Sequence, residues 1–86
     1  MSRPIRDDTA TLLAGLASAT REIRARERLT QTQVAKRGRL GKHYPGMVEL
    51  GRANPTMAQI GQLARGLGLS GAAELLREAQ DAADRL

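Results

Sequence analysis

The chain has 86 residues, with 14 Lys/Arg, 9 Asp/Glu, one His, one Tyr and no Cys, Phe or Trp, giving a formal charge of +5. Residues 1–86 are expected to form a single domain, with a modest core built from Leu, Ile, Val, Met and Ala. The lack of cysteine excludes a disulfide frame and the common zinc fingers, no apolar run nears the roughly 20 residues of a membrane span, and the opening Met-Ser-Arg-Pro-Ile-Arg-Asp-Asp has no signal-peptide apolar core, so a cytoplasmic protein is expected.

Five helices and no strand are predicted, because Gly and Pro fall at junctions and no segment alternates apolar with polar residues. The first helix should run from about Asp8 to Arg28. Asp7, Asp8 and Thr9 offer capping groups at its start, and Leu12, Leu16, Ala19 and Ile23 share one face. The second helix should span Gln31 to Arg37. Thr30 and Gln33 have the spacing of a capping box, with Leu29 and Val34 as its hydrophobic staple. Gly38 then breaks the helix. A third helix should end near Leu50, stopped by Gly51 and burying Val48. The fourth begins after Asn54-Pro55 with a second capping box, Thr56 and Gln59, and carries an apolar stripe of Met57, Ile60, Leu63, Ala64 and Leu67. Gly66 and Gly68 end it. The fifth starts at Ser70 and runs to about Asp84. Its apolar residues fall on two faces: Ala72, Leu76, Ala79 and Ala83 on one, and Leu75, Ala79, Ala82 and Leu86 on the other. One face can complete the core, and the second is expected to meet another copy, so residues 69–86 are read as a dimerisation element.

The charge is unevenly spread. Residues 1–52 hold 11 basic and 5 acidic residues, a net +6, and residues 53–86 hold 3 and 4, a net −1. Between Lys36 and Arg52 there are five basic residues and one acid, Glu49. Such a surface favours a polyanion, because each neutralised phosphate releases counterions. The run from Leu29 to Met47 has the layout of a helix, a tight turn and a second helix with a nearly acid-free outer side, which is how many proteins read the major groove of DNA.

In these residues the chain resembles the lambda-repressor-like helix-turn-helix family (Cro/cI-type, Xre). The resemblance rests on Leu29-Thr30-Gln31, Val34-Ala35, Leu40-Gly41, Val48-Glu49-Leu50-Gly51, Asn54-Pro55-Thr56 and Leu63-Ala64-Arg65-Gly66-Leu67-Gly68. No single tripeptide is specific, but six pieces in order, over about half the chain, are. It implies an all-α, five-helix DNA-binding domain with its helix-turn-helix at about residues 31–50. The implied function is a sequence-specific transcriptional regulator of double-stranded DNA, associated with the nucleoid. It would act as a homodimer that sets helix 3 of each subunit in successive major grooves of a palindromic operator.

The resemblance also implies a site. Lys42 and His43 match the family's main base-contacting positions, with Lys42 able to donate to guanine O6/N7 and His43 to donate or accept at a base edge. Gly46 and Met47 are the next expected base-facing positions, Gly46 allowing close backbone approach and Met47 offering only apolar contact; Leu50 is expected to face outward as well. Gln31 should touch phosphate and brace the start of helix 3. Thr32, Arg39, Arg52 and Asn54 should contact phosphates, as should the Tyr44 hydroxyl. Lys36, Arg37, Arg3 and Arg6 are weaker candidates. Arg21, Arg24, Arg26 and Arg28 read as a solvated face with Glu22 and Glu27, although Glu49 matches the family's structural acid and calls for a basic partner such as Arg24.

Two departures from the family pattern leave alternatives open. The turn glycine is expected at position 39, yet Gly38 precedes Arg39; either helix 2 stops one residue early or Arg39 takes the left-handed conformation. Pro45 falls where a buried aliphatic residue is usual. Either the helix still begins at Lys42, or it begins at Pro45 with Lys42 to Tyr44 as an extended lead-in.

Two other functions compete with the regulator: a protein-interaction module such as an antitoxin holding a toxin partner, and a non-specific DNA-packaging protein. No enzyme, cofactor or metal site is expected, since the chain has no Cys, one His and no phosphate-cradling Gly loop with its Lys.

Overall fold

A computed structural model describes residues 8–86; Arg3, Arg6 and Asp7 lie outside them. Among the described residues the order is α1 (Thr9–Arg26), α2 (Gln31–Gly38), α3 (Tyr44–Glu49), α4 (Met57–Gly66) and α5 (Ala72–Asp84), with no strand. Asp8 occupies the N-cap of α1, but its side chain makes no capping bond. Helix α1 stops two residues short of the expected Arg28, which takes φ 55°. The Leu29 N–H then donates to the Arg24 carbonyl at 2.8 Å, closing a Schellman-type end.

Both expected capping boxes form. The Gln33 N–H donates to Thr30 Oγ1 at 3.1 Å, while the Thr30 N–H donates to Gln33 Oε1 at 2.8 Å. Thr56 and Gln59 repeat the arrangement at 2.9 and 3.1 Å. Each box satisfies two otherwise orphaned backbone donors and fixes where the helix begins. Helix α5 starts two residues later than Ser70. The Ser70 N–H donates to the Glu74 carboxylate at 3.0 Å, so Ser70 is tied to the first turn without being part of it.

The core is aliphatic. Ile23, Val34, Leu63, Leu67 and Leu75 are completely enclosed, with Leu16, Ala19, Val48, Ile60, Ala64, Ala79 and Ala82 around them. Helix α1 packs along α5 and also touches α3, and α4 bridges α2 and α5. Without large aromatic side chains, the helices close the space by approaching one another. A Cβ on Gly66 would lie 2.3 Å from the Val34 carbonyl oxygen, and one on Gly38 would lie 2.4 Å from that of Gln62. The two glycines therefore let α2 and α4 meet backbone to backbone.

The alternative left open at position 38 is thereby settled. Gly38 is the last helical residue and serves the contact with α4, while Arg39 takes the left-handed turn at φ 57°, ψ 42°. Leu40 N–H completes the turn by donating to the Ala35 carbonyl at 2.8 Å.

Helix α5 spends most of both its apolar faces inside the chain. Of the residues on the two faces, Leu75, Ala79, Ala82 and Ala83 are buried, Ala72 and Leu76 are half-buried, and Leu86, just past the helix end, is exposed. The helical wheel separated two faces that the neighbouring helices cover as one broad stripe.

Candidate nucleic-acid interface

Helices α2 and α3 and the turn between them present one side to solvent. Helix α3 is only six residues long, and its first position is Tyr44, not Lys42. Pro45 is its second residue, where a missing N–H forfeits no helical bond. Its ring is buried. Lys42 and His43 are therefore a lead-in to the helix. It is a turn and not an extended segment: His43 holds φ −93°, ψ −4°, the Tyr44 N–H donates to the Gly41 carbonyl at 3.0 Å, and the Met47 N–H donates to the His43 carbonyl at 3.1 Å.

These angles align His43, Met47 and Leu50 at i, i+4 and i+7, one stripe along the outer side. All three are exposed, Met47 by 39% and Leu50 by 66%, and Lys42 is exposed beside them. The inner stripe, Pro45, Val48 and Glu49, is buried. Gly46 does not share the fully outward setting expected of it. It is half-buried against Gln31, whose Oε1 would lie 3.2 Å from a Cβ at that position. Gln31, exposed at the start of α2, thus lies with its side-chain amide beside the first turn of α3.

Tyr44 is also turned inward. Its ring is half-buried and its hydroxyl donates to Gln59 Oε1 at 3.1 Å. That same oxygen accepts the Thr56 N–H, so the start of α3 is latched to the start of α4. Burial pushes the Tyr44 phenol above its ordinary pKa.

The far end of α3 is gripped from α1. Arg24 meets Glu49 in a two-pronged pair, Nε to Oε2 at 2.8 Å and Nη2 to Oε1 at 3.0 Å. It also donates to the Leu29 carbonyl at 3.1 Å, and Arg21 donates to the Glu49 carbonyl. The hydrogen bond it donates to Glu49 holds the Arg24 guanidinium above its ordinary pKa. Arg24 therefore does not belong to the solvated face expected of α1, and Arg21, although exposed, also reaches across to α3; both tie α1 to α3. Arg26 and Glu27, 3.9 Å apart and both well exposed, do fit that description.

Thr32, Arg39, Arg52 and Asn54 are all exposed. Arg39 and Arg52 lie on the turns that flank α3, and Gly51, at φ 70°, folds Arg52 back so that its N–H donates to the Met47 carbonyl at 2.9 Å. Among the described residues no salt bridge occupies Lys36, Arg37, Arg39, Lys42 or Arg52. Of these, Arg39, Lys42 and Arg52 lie on the turns at the two ends of α3, whose acid, Glu49, is buried and paired, while the Arg37 guanidinium lies toward Gly68. Among the described residues, no group of three or more His, Cys, Asp or Glu can hold a metal, and no helix is long and apolar enough to cross a membrane.

Comparisons with known proteins agree with this geometry. A family profile described as a helix-turn-helix domain matches residues 16–79. No curated protein matches the chain. Among solved structures, the chain is similar to the hypothetical transcription factor NHTF from Neisseria, at 28% identity and a TM-score of 0.72, over 99% of this chain and 98% of that one. The clp gene regulator ClgR from Corynebacterium glutamicum is 26% identical with a TM-score of 0.70, over 92% and 94% of the two chains. The restriction-modification controller protein C.Esp1396I shares the fold, at 20% identity and a TM-score of 0.72, over 81% of this chain and 87% of that one. With five helices among its described residues and a family match over most of its length, the chain belongs to the helix-turn-helix domain family, a DNA-binding fold.

Proposed function

We propose that the protein is a sequence-specific transcriptional regulator that reads double-stranded DNA from the Lys42–His43 turn and the outer side of α3. The observation that carries this reading is the exposed stripe at residues 42, 43, 47 and 50, braced from behind by Gln31, Gln59 and Arg24 and flanked by cations with no acidic partner. Lys42 and His43 supply polar contacts to base edges. Arg39, Arg52, Gln31, Thr32 and Asn54 fix the register on phosphates. Gly46 acts through its close contact with Gln31, and Tyr44 supports the same face from the α4 side. The similarity to a gene regulator and to a transcription factor supports the regulatory role.

A homodimer belongs to this proposal, because two copies place their reading elements about 34 Å apart, one turn of the duplex. With most of α5 covered by α1 and α4, the described residues offer a second copy Leu86 together with a cleft lined by Leu12, Leu13, Met57 and Leu76. A second reading, an interaction module whose main ligand is another protein, rests on the exposed Met47 and Leu50 alone, a small patch for such a partner. A mobility-shift titration separates the two: the duplex upstream of the protein's own gene is compared with random duplex across a range of salt. A specific regulator prefers its site by roughly 1,000-fold or more. Equal binding of both duplexes supports packaging, and no binding supports the interaction module.

A further inference from the structure

Met47 and Leu50 are the odd members of a face otherwise suited to a polyanion. They lie one turn apart on the same side of α3 and remain 39% and 66% exposed. Neither belongs to the core cluster or packs against it. Lys42 and His43 precede them at one end of the helix, and the exposed Arg52, whose backbone N–H donates to the Met47 carbonyl at 2.9 Å, follows at the other. A cationic frame around two apolar side chains excludes an apolar protein partner as the best fit. Two side chains are also far too small a patch for a stable protein interface, which needs about 800 Å² from each partner.

In a major groove, by contrast, one apolar feature is available on the base pairs, the C5-methyl group of thymine. We propose that Met47 and Leu50 read thymine methyl groups, so that each operator half-site places thymine beside the base pair contacted by Lys42 or His43. This inference rests on the DNA-reading function proposed above and adds the identity of part of its target. The stripe geometry sets the spacing: His43, Met47 and Leu50 rise along one side of a rod with about 1.5 Å per residue, so the methyl contacts fall within one or two base pairs of one another. Each methyl removed from water against Met47 or Leu50 is worth about a fourfold gain in affinity.

The test uses the full chain and a duplex it selects itself. Repeated capture from a random duplex pool gives the preferred sequence, and each thymine in it is then replaced singly by deoxyuridine, which deletes the methyl and nothing else. One or two replacements per half-site should weaken wild-type binding by about fourfold each, and the double variant Met47→Ala, Leu50→Ala should bind thymine and deoxyuridine duplexes alike. Both residues are exposed, so the variant should keep the wild-type circular dichroism and melting temperature, which confirms that the fold is intact. If wild type selects a sequence but binds every deoxyuridine duplex as tightly as its parent, the inference is wrong while the DNA-reading function stands. Persistence of the deoxyuridine penalty in the double variant would assign methyl reading elsewhere and likewise overturn it. Failure to capture any preferred duplex overturns the function beneath it and the inference together.

Discussion

Exchanging the roles of Gly38 and Arg39 probes how the reading unit is held. In Gly38→Ala the new methyl would sit 2.4 Å from the Gln62 carbonyl oxygen and 3.2 Å from its carbon. An acceptable carbon–oxygen contact is about 3.3 Å or more, so α2 and α4 must part by roughly 1 Å. The same interface holds Gly66 against Val34, where the clearance is just as small, and cannot slide to compensate. Overpacking of this kind costs about 1–3 kcal/mol, and the gain in helix propensity is small at a final helical position. A net loss of about 2 kcal/mol corresponds to a fall in Tm of roughly 10 °C in a domain of this size. Arg39→Gly should behave oppositely. It relieves a left-handed residue at φ 57°, worth about 1–2 kcal/mol, against about 0.5–1 kcal/mol of added chain entropy in the unfolded state, so Tm should hold or rise by a few degrees. Thermal melts followed by circular dichroism at 222 nm give both numbers. A Gly38→Ala protein that melts with wild type, or an Arg39→Gly protein that melts well below it, would refute the assignment of close contact to one residue and turn to the other.

Other expectations concern the supports of the same unit. Glu49→Gln breaks the pair with Arg24 while keeping side-chain size; with Glu49 buried but Arg24 still 27% exposed, the loss should be about 2 kcal/mol by urea titration, and it should weaken binding to the selected duplex as α3 loses its anchor. Thr20 is fully enclosed and its hydroxyl has no partner among the described residues; Thr20→Val keeps the shape and should stabilise by about 1 kcal/mol in the same titration. Hydrogen bonds from Ser70 hold the Glu74 carboxyl below its ordinary value of 4.5. Its contribution to stability is therefore complete above that value and is lost as the pH falls through the lower folded value. Glu74→Gln should accordingly be less stable than wild type at neutral pH, and the gap should close in melts taken below pH 4.5.

What could be read from the chain alone depended on range. The boxes Thr30–Gln33 and Thr56–Gln59 are local: both partners lie within one turn, and the side chains that signal them also make the bonds. The Arg24–Glu49 pair was legible only through the resemblance, because nothing in the spacing of 25 residues marks it. Three features were out of reach for tertiary reasons. The end of α1 depends on Arg28 taking a left-handed angle, which arginine has no local reason to adopt; for Arg39 the same angle stood as one of two alternatives. The inward turn of Tyr44 depends on Gln59, 15 residues away, which also caps α4. The two faces of α5 looked separate on a helical wheel, and only the packing of both α1 and α4 against α5 explains why most of both are covered. At position 45, proline set two outcomes from sequence, and the structure adopts neither in full: the helix begins at Tyr44, one residue earlier than the later alternative, and the lead-in is a turn.

The most direct measurement compares Lys42→Ala with Arg52→Ala against both the selected duplex and a random one, by mobility shift at fixed salt. If the Lys42 turn reads bases while Arg52 grips phosphate, Lys42→Ala should reduce the preference for the selected duplex by about tenfold or more, and Arg52→Ala should weaken both duplexes by a similar factor. Equal losses on every duplex from both variants would contradict the placement of base reading at the start of α3.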